Sequence, residues 1–169
     1  MDEQNWILLN GGASETSSGV ITAVDHLVCI GAKDKLEKSG DLKSEKNRIV
    51  TLIPEVDSQH HHDIGKIEIA GATARERRFN LVKKADAIIA IEGSNIGTAD
   101  IIERGMELKK PVLPIRCTGG KSKKAWNDNE QAILQNFDLK KTSKEYKLLT
   151  ANGARVKVSI GYFLAYQLY

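Results

Sequence analysis

No apolar run in this chain approaches the eighteen or so residues that a membrane span requires. Its first residues, MDEQNW, lack the basic and then apolar order of a secretion signal. Cysteine is scarce: Cys29 and Cys117 are far apart, each inside an apolar segment. That excludes a disulfide framework and reads as two buried, reduced thiols in a cytoplasmic protein. Three prolines and no low-complexity tract leave no obvious linker, so the 169 residues are expected to form one domain, 1–169. Neither sign of charge dominates, with 25 basic against 22 acidic residues and a net charge of +3. Nucleic acid and membrane are therefore not expected partners, while an anionic small ligand is compatible. Several catalytic signatures are also missing: the P-loop spacing, GxGxxG, HExxH and a serine nucleophile elbow. Ordinary dinucleotide binding by a dehydrogenase is disfavoured.

What is present alternates. Apolar runs at 6–9, 48–54, 85–91 and 111–115 predict strands, and the continuous, β-branched RIVTLIP and ADAIIAI suit burial on both faces. Between them, Ser17 or Ser18 is placed to cap a helix carrying Val20, Ile21, Val24, Leu27 and Val28. Further helices are expected over 73–84, 98–109, 123–137 and 156–168. Residues 33–47 and 55–70 read as connections. This order predicts an α/β fold, with a mostly parallel sheet covered on both sides and ligands bound beyond the carboxyl ends of its strands.

Three of those ends carry loop chemistry. The first is NGGASE, where Gly11 and Gly12 allow close approach and Ser14 and Glu15 can read hydroxyls. The second is EGSNIGT: Glu92, Gly93, Ser94, Asn95, Gly97 and Thr98, the last placed to cap a helix whose N-terminal amides suit a phosphate. The third is RCTGGKS, offering Thr118, Gly119 and Lys121 as donors. Upstream, ARERR supplies Arg75, Arg77 and Arg78, and the planar guanidinium fork matches phosphate or carboxylate. The run His60-His-His62 with Asp63 reads as a solvated or ligand-adjacent loop, because consecutive histidines do not easily converge on one ion. No metal or cofactor is expected.

The stretch ARERRFNLVKKADAIIAIEGSNIGTADIIERGMELKKPVLPI resembles the core of the SLOG superfamily, the LOG–Smf/DprA-like Rossmannoid domains. The resemblance covers roughly residues 6–126 and implies a Rossmann-like three-layer sandwich. Aligned on Ala85-Asp86 and Gly97-Thr98, Arg77 falls at the LOG catalytic arginine, whereas Ile101 stands where the catalytic glutamate is expected. Gly93, Ser94 and Asn95 replace Pro-Gly-Gly. LOG enzymes cleave the N-glycosidic bond of nucleoside monophosphates, which needs a carboxylate, and an isoleucine cannot serve. Asp100 lies one residue away, rotated by about 100° on a helix.

PVLPIRCTGG looks more like the STALD branch, whose domains in Thoeris-type antiviral effectors bind cyclic ADP-ribose isomers and switch on a linked NAD-cleaving domain. The resemblance therefore implies a sensor for a nucleotide-derived signal rather than an enzyme, and a homo-oligomer. The alternative it leaves open is a LOG-like phosphoribohydrolase or nucleoside N-glycosidase. The family carries a further strand and helix before the loop that Asn10–Gly19 matches, so the chain reads as an excised or shortened domain.

Overall fold

The computed structural model describes residues 6–14, 16–17, 20–21, 23–56, 61–93 and 96–151. Glu15, Ser94, Asn95 and the helix expected over 156–168 lie outside them. The chain forms two compact units, one running to Leu81 and the other starting at Val82. The fold is α/β and Rossmann-like, with parallel strands in two sheets and helices packed around them. None of the described helices is long and apolar enough to cross a membrane.

In the first unit, strands β1 (Leu8–Asn10), β4 (Ile49–Ile53) and β5 (Lys66–Ile69) pair in parallel in the order β1-β4-β5. Asn10 lies opposite Thr51, and Thr51 opposite Ile67. Alternation along β4 sends successive side chains to opposite faces. Ile49 packs with Cys29 and Leu36 of helix α1 (Val24–Lys38), together with Ile64, Trp6, Leu8 and Ala32. Val50 and Leu52 pack instead with Leu9, Ala70 and Leu81, the last on helix α3 (Ala74–Lys84). One helix therefore lies on each face, giving three layers.

Three expectations are corrected in this unit. Val20 and Ile21 do not start a helix: they form strand β3, antiparallel to β2 (Thr16–Ser17). Helix α1 begins at Val24 with Ala23 as its N-cap and no side-chain cap. It also runs to Lys38, into the stretch read as a connection, because the buried Leu36 keeps it on the sheet. A short helix α2 (Glu45–Arg48) then leads into β4. Strand β5 occupies a stretch read as loop; its burial is slight, and pairing with β4 makes it a strand.

Helix α3 starts as the residue types dictate. Thr73 Oγ1 accepts from Glu76 N at 3.2 Å, and Glu76 Oε2 accepts from Ala72 N at 2.8 Å, a reciprocal cap of the first turn.

In the second unit, β6 (Ile88–Ile91) and β7 (Val112–Ile115) pair in parallel. Helices α4 (Gly97–Glu107), α5 (Gly120–Asn136) and α6 (Lys144–Thr150) surround them. A Cβ on Gly105 of α4 would lie 2.5 Å from Ile88 Cδ1 and 2.8 Å from Val112 Cγ2, so this glycine lets helix and strands approach closely. Helix α6 was not anticipated in the polar segment TSKEYKLLT. It is held by buried Leu149 and by Ser143, whose hydroxyl accepts from Tyr146 N at 3.1 Å.

Candidate functional site

The polar cluster of the first unit sits at the carboxyl end of β1 and is built around Asn10, a buried side chain at the strand's last position. Its Nδ2 donates to Val50 O at 3.2 Å and to Thr51 Oγ1 at 3.1 Å. A carbonyl only accepts, so the amide orientation is set. Oδ1 then faces Gly12 N at 2.8 Å and His62 Nε2 at 3.2 Å. The next residues leave the strand in a turn that only glycine adopts readily: Gly12 has φ +78°, and a Cβ there would lie 2.6 Å from Thr51 Cγ2.

The loop is clamped from three directions. Gly12 O accepts from His62 N at 3.3 Å, with His61 Nδ1 also at 3.3 Å. Ala13 pairs with His61 as an isolated bridge, and Ala13 N donates to Asp25 Oδ2 at 3.4 Å. Ser14 Oγ lies 3.1 Å from His26 Nδ1, and the His26 ring stacks on that of His62 with centroids 5.0 Å apart. His62 is only 3 % exposed, so the solvated reading of this histidine is corrected: it is a buried brace of the glycine loop. Burial and then His26 hold its imidazole below the ordinary 6.5, against the opposing pull of Asp25 and Asp63. Below the loop, Cys29 is fully buried, and desolvation pushes its thiol up to about 12.

Arg77 reaches this loop from α3. A Cβ on Gly11 would collide with Arg77 Nη1, lie 3.0 Å from its Cζ and 2.8 Å from Asp25 Oδ2. The guanidinium thus lies across the bare backbone of Gly11, beside a carboxylate. Of the expected ligand residues, Gly11, Gly12, Ser14 and Arg77 come together here. Arg75, two positions earlier on the helix, is exposed. Asn10, Asp25, His26, His61 and His62 complete the cluster without having been singled out for it. Asn10 opens the glycine motif and the histidines form a run, and neither signal indicates what it faces.

In the second unit the loops after β6 and β7 meet and brace each other. Glu92 N donates to Thr118 Oγ1 at 2.7 Å, and that hydroxyl donates to Ile115 O at 2.7 Å. Ser122 Oγ and Ser122 N both donate to Glu92 O, at 2.9 and 3.1 Å, and Lys121 N to Gly93 O at 3.4 Å. The Lys121 and Ser122 amides in the first turn of α5 are therefore occupied by carbonyls of the loop after β6, and the Thr118 hydroxyl is used in both directions. Gly119, the N-cap of α5, has φ +86°.

Thr98 does not cap α4, whose N-cap is Ile96 with no side-chain cap. A Cβ on Gly93 would lie 2.6 Å from Thr98 Cγ2, so Thr98 folds over Gly93 instead. Gly97 is the first residue of α4. Ile101 lies one turn into that helix, and Asp100 is paired with Arg104 Nε at 2.6 Å. The neighbouring carboxylate is thus held by its own helix. Among the described residues, no group of three or more His, Cys, Asp or Glu side chains is arranged to hold a metal.

Comparison with known proteins yields a structural likeness. No protein-family model matches the chain. No curated protein matches it either. A solved structure that does match is the X-ray structure of TM1055, a Northeast Structural Genomics Consortium target, at 25% sequence identity and a TM-score of 0.50. The match covers 72% of this chain and 81% of that one. That likeness fits the Rossmannoid fold implied by the resemblance drawn from the central motif.

Proposed function

We propose that this chain binds a nucleotide-derived anion of the ADP-ribose type, a cyclic ADP-ribose isomer being the leading candidate. Binding acts as a signal to a linked or associated effector and is not followed by cleavage. The observation that carries the reading is the Arg77 guanidinium lying across the backbone of Gly11. The absent Cβ makes room for a guanidinium, a charge-assisted donor for phosphate, beyond the carboxyl end of a parallel strand. Asp25 and Ser14 are the nearby groups suited to ribose hydroxyls, and Glu15 joins them on sequence grounds. Taken by itself, the second unit offers Glu92, Gly93, Ser94, Asn95, Gly97, Thr98, Gly119 and the Lys121 ammonium group as candidate anion contacts on sequence grounds. The non-catalytic part rests on Ile101 and on the engagement of Asp100 with Arg104. Cleavage of the type the LOG resemblance implies needs a carboxylate at the position Ile101 holds.

Calorimetry against ADP-ribose, its cyclic isomers, NAD, AMP and cyclic dinucleotides tests the reading, with chromatography of the same mixtures to follow turnover. Binding of an ADP-ribose-type compound without product is the expected result. Steady release of free base that disappears in Arg77→Ala would replace the sensor with a hydrolase.

A further inference from the structure

The orientation of Asn10 has a consequence for His62. Because Asn10 Oδ1 is an acceptor, the His62 Nε2 facing it at 3.2 Å carries the proton. The neutral ring therefore presents a bare lone pair at Nδ1. That atom is buried and has no hydrogen-bond partner among the described residues. The same residue's backbone N–H holds Gly12 O, and its ring shares Asn10 Oδ1 with Gly12 N. Both polar groups of Gly12 are thus tied, directly or through one atom, to His62.

We propose that His62 is a positioning residue that makes the Gly11–Ser14 loop competent for its ligand only while its ring is neutral, so that ligand affinity is switched off by acid; this rests on the reading of that loop as the nucleotide site. Adding a proton creates an Nδ1–H at a buried atom that has no hydrogen-bond partner among the described residues. It also places a cation against the stacked His26 ring, 5.0 Å away. An unsatisfied buried donor is costly, and a charged one more so. Rotating the ring out to water relieves the cost but breaks the contact with Asn10 and pulls on Gly12.

The groups facing His62 explain why neutrality is the resting state. His26 and Asp25 come from α1, and His61 and Asp63 from its own loop. Asn10 and Thr51 come from the strands, and Arg77 lies beyond them over Gly11. Burial and the two histidines oppose the cation, Asp25 and Asp63 favour it, and the opposing set dominates.

The experiment uses the whole chain and the His62→Gln variant, whose amide N–H replaces the Nε2 donor and does not titrate. Affinity for the tightest member of the nucleotide panel is measured from about pH 8 to about pH 5, across the range where histidine changes charge. In parallel, imidazole nitrogen shifts report the His62 tautomer, and hydrogen exchange reports the protection factor of the Gly12 amide in the absence of ligand. Wild-type affinity should fall by up to about tenfold per pH unit, the limit for one linked proton. The Gly12 protection factor should fall with it, and both should stay level in His62→Gln. The acid loss should persist in His26→Gln. Affinity and protection that ignore the protonation of His62, or a variant that titrates like wild type, would overturn the inference. Failure of every panel compound at about pH 8 would instead remove the nucleotide reading. In that case the ligand-free tautomer and exchange data decide whether His62 positions the loop.

Discussion

Gly11→Ala separates the placement of Arg77 from its charge. Gly11 is not among the residues with positive φ, so alanine fits the backbone without strain. Replacing glycine in a compatible conformation removes unfolded-state freedom worth about 0.4–1 kcal/mol. Against that stands the collision of the new methyl with the Arg77 guanidinium and its approach to Asp25 Oδ2 at 2.8 Å. The guanidinium ends a flexible side chain and swings aside, so net stability should change by about 1 kcal/mol or less. Binding should respond far more. A displaced charge-assisted contact to phosphate is worth about 1.5–3 kcal/mol. At about 1.4 kcal/mol per decade, that is roughly a tenfold to hundredfold loss of affinity.

Gly12→Ala is the contrast. At φ +78° and 2.6 Å from Thr51 Cγ2, its methyl meets both backbone strain and a packed side chain. It should cost about 1–2 kcal/mol of stability from the strain alone. Urea unfolding gives the stabilities and calorimetry the affinities. If Gly11→Ala binds the nucleotide as tightly as wild type, Arg77 does not hold the phosphate and the assignment of this loop is wrong.

The buried neutral His62 also bears on stability. Its folded value lies below the unfolded 6.5, so the unfolded chain binds the extra proton first. The contribution is complete above about pH 6.5 and declines as pH falls below it; urea midpoints that stay level across that window in wild type would contradict this. Cys29, fully buried and pushed up to about 12, should resist alkylation in the folded protein and react on unfolding, whereas the half-buried Cys117 should be modified first. Peptide mapping after a timed thiol pulse would reveal the opposite order. Gly105→Val should destabilise the second unit by about 1–3 kcal/mol through overpacking, since even a Cβ falls 2.5 Å from Ile88 Cδ1. An unchanged urea midpoint would refute the close helix–strand approach.

Local sequence determined the elements whose cause is local. RIVTLIP and ADAIIAI are recognisable strands because burial on both faces demands continuous apolar residues, and they appear as β4 and β6. The start of α3 is encoded in Thr73 and Glu76, which close its first turn between them. The glycines after β1 and β6 announced tight turns and close approaches, and Gly12 and Gly93 have the positive φ such turns require.

Tertiary structure decided the rest. KIEI carries too little apolar surface to declare itself a strand, and its hydrogen bonds come from β4. Thr118 looks like a free donor in sequence; only the meeting of two loops commits its hydroxyl to Glu92 and Ile115. The cluster at Gly12 is the clearest case. Asn10, Asp25, His62 and Arg77 belong to four separate segments, and each is unremarkable alone. Parallel pairing of β1 with β4 sets Asn10 opposite Thr51, and the chain leaving β4 returns as His61 and His62 to close on Gly12. Such a site depends on contacts between residues distant in the chain, whereas periodicity and propensity act only over a few neighbouring residues.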